Sequence, residues 1–245
     1  MADIQQAWIE TLRRESGIRR AIILHGEILD FYPSPRNNQD YVPIQPIVCT
    51  TLRSKGFSDI ILWDTFEGVK NIKPERWEEL QKGMMSPNAK DKSSDPKAKP
   101  YDMGDVSLDD TQQSAQGAVP PNIDDFLAVV HFYLTHQTQS RIAFILDWSQ
   151  YLFTSNASLS EEDRKRLLML SKSINNAPLS FRSKEEMSSP DNLLILIASK
   201  LESIPSVFYQ GSACVKDIIV TGPGRSEREA FLDREQAKWN LAQNP

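Results

Sequence analysis

The sequence predicts an α/β fold: a three-layer, doubly wound sheet of about five mainly parallel strands with helices on both faces. Two observations carry this. Short aliphatic runs recur along the chain without alternating with polar residues, as in "AIIL" from Ala21, "IAFIL" from Ile142 and "LLILI" from Leu193. Strands of that kind are buried on both faces. Segments with helical spacing separate them, and strand and helix in alternation are the pattern of a parallel sheet.

The elements follow in order. Ile4, Ala7, Trp8, Thr11 and Leu12 recur at helical spacing behind Asp3, an acceptable N-cap, and Gly17 ends that helix. "RRAIILHG" is the first strand. Pro43 starts a helix with Ile44, Ile47, Val48, Thr51 and Leu52 on one side, and Gly56 stops it. Asp59 to Asp64 is the second strand, and "PERWEELQK" from Pro74 is a short helix. From Gly83 to Asn122 the chain is rich in Pro, Gly, Ser, Lys and Asp and nearly empty of large aliphatics, which predicts a flexible insertion (83–122) within a single domain spanning 1–245. Asn122 then caps a helix that packs Phe126, Val129, Val130 and Tyr133 on the sheet. "RIAFILD" is the third strand. Ser160, with Asp163 three residues on, gives a capping pattern before Leu167, Leu168 and Leu170. Asn192 to Lys200 is the fourth strand, Val215 to Pro223 the fifth, and "RSEREAFLDREQAKWNLA" the last helix.

Composition narrows the function classes. The 245 residues are 40% hydrophobic and 25% charged, ordinary globular values that argue against a disordered, fibrous or membrane chain. A net charge of -5 supplies no basic field for nucleic acid. Arg13, Arg14, Arg19 and Arg20 cluster locally, as a solvated helix end does. No apolar run approaches the ~20 residues that span a bilayer, and "MADIQQAWIETLRRES" lacks the parts of a secretory signal, so a cytoplasmic chain is expected. Cys49 and Cys214, and likewise His25, His131 and His136, have no metal-ligand spacing. Asn156 forms the sequon "NAS", irrelevant in a cytoplasmic chain.

In doubly wound sheets, function gathers at the carboxyl ends of the strands. Here those ends read "HGEILDFYP", Asp64 followed by "TFEG", Asp147-Trp148, Ser199-Lys200 and "TGPGRSER". A working phosphate loop needs GxxxxGK[ST] after the first strand, because glycine amides wrap the phosphates and a lysine reaches the outer oxygens. The chain has no such motif: "HGEILDFYP" offers one glycine, Gly26, no lysine, and two acids that would repel a triphosphate. Asp147 stands where a magnesium-holding Asp would, but Trp148 cannot accept a proton from an attacking water, so hydrolysis there should be very slow. Asp64 and Glu67 read as solvated strand-end acids or caps. If Glu27, Asp30, Asp64 and Asp147 converged at one edge of the sheet, they would hold Mg²⁺ in a phosphoester-processing enzyme, although no His or Lys stands beside them. A receiver-like signalling domain, with Asp147 as phospho-acceptor and Ser199 beside it, lacks the acidic pair after strand one and the lysine after strand five. "TGPGRS" is read as a turn before a helix, and Trp63, Trp77, Trp148 and Trp239 as packing residues.

The chain resembles the AAA ATPases, and more closely the degenerate AAA-like N-terminal region of two-part AAA proteins. The resemblance rests on "LHGEILDFY" from Leu24, "GFSDIILWDTFEGV" from Gly56, "FILDWSQYL" at the Walker B place and "LLILIASKLESIPSVF" at the sensor-1 place. It rests also on "IIVTGPGRSEREAFL", in which Pro223, Arg228, Phe231 and Leu232 match the AAA pattern. It implies a P-loop NTPase-like core topology and a degenerate nucleotide site at Gly26, Asp147 and Ser199, with Asp147 in the metal position and Ser199 in the sensor-1 position. It implies too that this chain is the N-terminal fragment of a longer protein, since the helical lid is missing, and that it is a non-catalytic interaction or assembly module. ATP and Mg²⁺ then belong to the parent protein and no cofactor to this chain. The implied partners are proteins or a C-terminal ATPase domain, with a homo-oligomer left open and no membrane.

Overall fold

In a computed structural model, described for residues 7–34, 40–85, 122–153, 158–180, 189–190 and 192–235, the aliphatic runs form the centre of one sheet. The chain runs α1 (Ala7–Glu15), β1 (Ala21–Gly26), β2 (Tyr32–Pro33), β3 (Tyr41–Val42), α2 (Ile44–Ser54), β4 (Phe57–Asp64), β5 (Gly68–Lys70), α3 (Pro74–Met85) and α4 (Ile123–Thr135). It continues through β6 (Arg141–Leu146), α5 (Glu161–Asn175), β7 (Leu179–Ser180), β8 (Ser189–Pro190), β9 (Leu193–Ala198), α6 (Ser206–Tyr209), β10 (Val215–Val220) and α7 (Arg225–Glu235). The Asp3 cap, the insertion from residue 86 to 121, Asn156 and Trp239 lie outside the described residues.

The sheet has six strands in the order β10, β1, β9, β6, β4, β5. Five are parallel, and β5 is antiparallel because it returns from β4 through a three-residue hairpin. The expected five strands are all present; the sixth is an addition that the sequence did not signal. β2 with β3, and β7 with β8, form separate two-stranded ribbons. Gly83 to Met85, expected within the insertion, complete α3 instead.

Side chains on each parallel strand alternate between two cores. Ile22 and Leu24 of β1, Ile60 and Leu62 of β4, and Ile195 and Ile197 of β9 meet Trp8, Leu12, Ile47, Val48 and Leu52 of α1 and α2. Ile23, Ile61, Phe144 and Leu196 face the other way, toward Leu80, Phe126, Val130, Leu167 and Leu170 of α3, α4 and α5. Burying each such aliphatic side chain contributes about 1.5–3 kcal/mol, which is why these runs take the centre of the sheet. Trp63 and Trp77 sandwich Phe126 at centroid distances of 5.6 and 5.9 Å, so these two tryptophans pack as expected. The arginines near α1 are tied in rather than merely solvated: Arg14 and Arg19 bond the buried Glu15, and Arg20 donates to the carbonyls of Ile174 and Asn175.

The connection from β1 runs to β4, across two intervening strands, whereas those from β6 and β9 step in the opposite direction. The sense of winding therefore reverses between the neighbouring strands β1 and β9. A crevice at such a reversal is where open α/β sheets present ligands, which directs attention to the carboxyl ends of β1, β9 and β6.

Candidate functional site

The turn after β1 is closed upon itself. The Gly26 amide donates to the Ser199 carbonyl at 3.3 Å, and the Glu27 amide donates to the Val220 carbonyl at 3.0 Å. The Ile28 amide returns to the Gly26 carbonyl at 2.8 Å. Ile28 and Tyr32 are buried beneath the turn, and the Tyr32 hydroxyl donates to the Glu27 carbonyl. Gly26 has φ 113°, and a Cβ there would stand 2.6 Å from the Val220 carbonyl oxygen. That position needs glycine for the close approach of β1 and β10, independently of any phosphate. A phosphate cradle requires amides pointing outward and unspent. The amides of Gly26, Glu27 and Ile28 are each spent on a carbonyl.

Asp147 caps β6 on the α2 side of the sheet and is almost fully buried. Gln45, in the first turn of α2, donates from Nε2 to its Oδ2 at 2.8 Å, and the Trp148 amide donates to Oδ1 at 2.9 Å. Burial pushes the Asp147 carboxyl above its usual range; the Gln45 and Trp148 donors and the Lys70 ammonium oppose this, and the Asp64 charge adds to it. No sequence signal marked Gln45, which lies 102 residues from its partner.

Asp64 is neither solvated nor a free strand-end acid. Its Oδ1 accepts the amides of Phe66 and Glu67 at 2.8 and 2.7 Å and so builds the hairpin into β5, while Lys70 Nζ stands 2.6 Å from Oδ2. Burial raises its pKa, but the Lys70 bond and the two amides outweigh that, and the carboxyl sits below its usual range. Lys70 also binds Glu67.

Ser199 ends β9 between the other two tips. Its amide donates to Gln150 Oε1 at 3.4 Å, which joins it to the turn after Asp147. Gly26, Ser199 and Asp147 therefore stand at the ends of three adjacent strands, stitched by Gly26 to Ser199 and by Gln150. The four acids do not converge. Glu27 and Asp30 crowd Gly222, where a Cβ would come within 3.3 Å of Glu27 and 3.2 Å of Asp30. Asp64 and Asp147 are held at the tips of β4 and β6 by their own partners. Among the described residues, no group of three or more His, Cys, Asp or Glu side chains is placed to hold a metal ion. The turn "TGPGRS" faces Glu27 and Asp30 across Gly222. Arg228 folds back to donate to the Pro223 carbonyl at 3.0 Å. Trp148, expected to pack, has φ 52° and an exposed ring stacked on that of Tyr151.

Residues 5–221 match the family described as the AAA+ chaperone, N-terminal Rossmann-like domain. The chain belongs to that family. No curated protein matches it. Among solved structures it is similar to a chain in the HORMA:CdnC:Trip13 complex of E. coli MS115-1, with 10% identity and a TM-score of 0.41. The alignment covers 96% of this chain and 57% of that one, so the chain spans less than two thirds of the length it matches. In this AAA+ chaperone N-terminal domain, α7 follows the matched residues and is held through β3: the Tyr41 hydroxyl donates to the Glu227 carbonyl at 3.2 Å, and the Tyr41 and Phe231 rings meet edge to face at 4.8 Å. The AAA+ chaperone N-terminal domain has, among its described residues, no helix long and apolar enough to cross a membrane.

Proposed function

We propose that this chain is a non-catalytic AAA-like domain that serves as an interaction or assembly module of an AAA ATPase, with ATP and Mg²⁺ bound elsewhere in the parent protein. The observation that carries the reading is the turn after β1, whose first three amides, those of Gly26, Glu27 and Ile28, are committed to the carbonyls of Ser199, Val220 and Gly26. Opening it to receive a phosphate would cost those bonds and expose Ile28 and Tyr32, and no lysine is present in the turn to offset the loss. Glu27 and Asp30 add repulsion toward a triphosphate. In this reading Gly26, Ser199 and Asp147 lock strand tips together. The partners are proteins, among them a C-terminal ATPase domain of the same polypeptide.

Calorimetry of the chain with ATP and Mg²⁺ tests this, with no binding tighter than about millimolar expected; at that affinity the binding energy is only ~4 kcal/mol. Micromolar binding would overturn the reading. Gly26→Ala sharpens the test. Strain at positive φ and the clash with Val220 predict a loss of about 1–3 kcal/mol in folding stability by urea titration, with the nucleotide titration unchanged.

A further inference from the structure

The hairpin joining β4 to β5 and the turn after β6 border an open cavity of about 430 Å³ at the carboxyl edge of the sheet. Its walls include Asp64, Phe66, Glu67, Lys70, Trp148 and Tyr151. Three of these present aromatic rings to solvent: Phe66 is 89% exposed, Tyr151 69% and Trp148 38%. Water-facing rings of this size are costly to leave uncovered and rarely gather at one place in a chain without a partner. They are also held there. Phe66 rides on a turn whose two amides are bound by Asp64, and the Trp148 backbone amide donates a hydrogen bond to the Asp147 carboxylate.

Charge selects the occupant. Two carboxylates, Asp64 and Glu67, stand against the single ammonium of Lys70, so the wall carries an excess negative charge. The buried Asp147 carboxyl, at the tip of the neighbouring strand, lies within electrostatic reach of Asp64 and Lys70. An anionic ligand, including a nucleic-acid phosphate, would be repelled. A cation with an apolar stem satisfies both parts of the wall, because aromatic faces attract cations and the stem covers the rings. The planar guanidinium fits better than an ammonium, since it can stack on a ring while it donates to a carboxylate.

We propose that this cavity is a docking site for an arginine side chain borne on an extended segment of a partner protein, with Phe66, Trp148 and Tyr151 covering the guanidinium and its stem and Glu67 accepting from it. This deepens the interaction reading and rests on it, but it is tested separately from the nucleotide calorimetry, which does not involve these residues. The probe is the blocked pentapeptide acetyl-Gly-Gly-Arg-Gly-Gly-amide, titrated into the full chain while the indole N–H resonance of Trp148 is followed, that resonance being assigned by its loss in Trp148→Phe. The arginine peptide should shift it in a saturable way. The citrulline peptide, of the same shape and without charge, should bind at least about threefold more weakly, and the glutamate peptide should not bind. Phe66→Ala and Glu67→Gln should each raise the dissociation constant roughly two- to fivefold. Both residues are well exposed, so neither substitution removes core packing. An absent shift, equal binding of the arginine and citrulline peptides, or wild-type affinity in both variants overturns the site. Such a result, with the ATP titration still blank, would leave the interaction module standing and remove only this cavity from it.

Discussion

Two carboxyls at neighbouring strand tips have opposite fates, and the difference has a direction in pH. Asp147 is buried against a neutral amide, and its pKa lies above the ordinary 3.8. Between 3.8 and its own raised value it holds more proton in the folded than in the unfolded chain, so its contribution makes stability fall as pH rises through that window. Asp64 is bound by Lys70 and two amides, and its pKa lies below 3.8. Its contribution is full above 3.8 and is lost as pH falls through the folded value. Urea midpoints measured across the acid range should therefore separate the two residues. The difference between wild type and Asp64→Asn should shrink as pH is lowered below 3.8, and that between wild type and Asp147→Asn should change in the opposite sense above it. A reversed slope for Asp64→Asn would mean that Lys70 does not hold Asp64, and a reversed slope for Asp147→Asn would mean that burial does not dominate at Asp147.

At the level of elements, helix ends follow local chemistry closely enough to be tested one at a time. Ser160 Oγ accepts the Asp163 amide at 3.0 Å, and the Asp163 carboxylate accepts the Ser160 amide at 3.2 Å, a closed capping box at the start of α5. Ser160→Ala should cost about 1 kcal/mol, read as a lower urea midpoint at unchanged slope. This box was legible because its two residues lie three apart, and so was the Asn122 cap, whose Oδ1 accepts the Asp124 amide. The five parallel strands were legible for a related reason: a strand buried on both faces has no polar position to interrupt its aliphatic run. β5 was not, because Gly68, Val69 and Lys70 are too few to show a period and earn their place through Asp64 and its turn. The two-residue ribbons have no period at all. The site was half legible. The strand-tip positions of Gly26, Asp147 and Ser199 were legible because each ends a recognisable run. The Gln45 bond, the Gln150 bridge and the outward turn of Trp148 depend on contacts between distant segments and on one backbone angle, neither of which a local pattern carries.

For the whole molecule, the order of strands predicts an order of stability. β9 lies between β1 and β6, bonded on both sides, and all six of its residues are buried, each facing a core covered by helices. β10 and β5 close the two edges, each paired on one side only, and β10 leaves Ile219 60% exposed. Opening an edge strand breaks one ladder and uncovers few apolar groups, whereas freeing β9 requires parting the sheet and both cores at once. Amides of Leu193 to Ala198 should then exchange with solvent only through global unfolding, with a denaturant dependence equal to that of the whole chain. Those of β5 and β10 should exchange through smaller openings with a shallower dependence. Native-state hydrogen exchange in low urea measures both. β9 exchanging faster than β10 would contradict the strand order itself, and with it the adjacency of Gly26, Ser199 and Asp147, since those three residues meet only because β9 lies between β1 and β6.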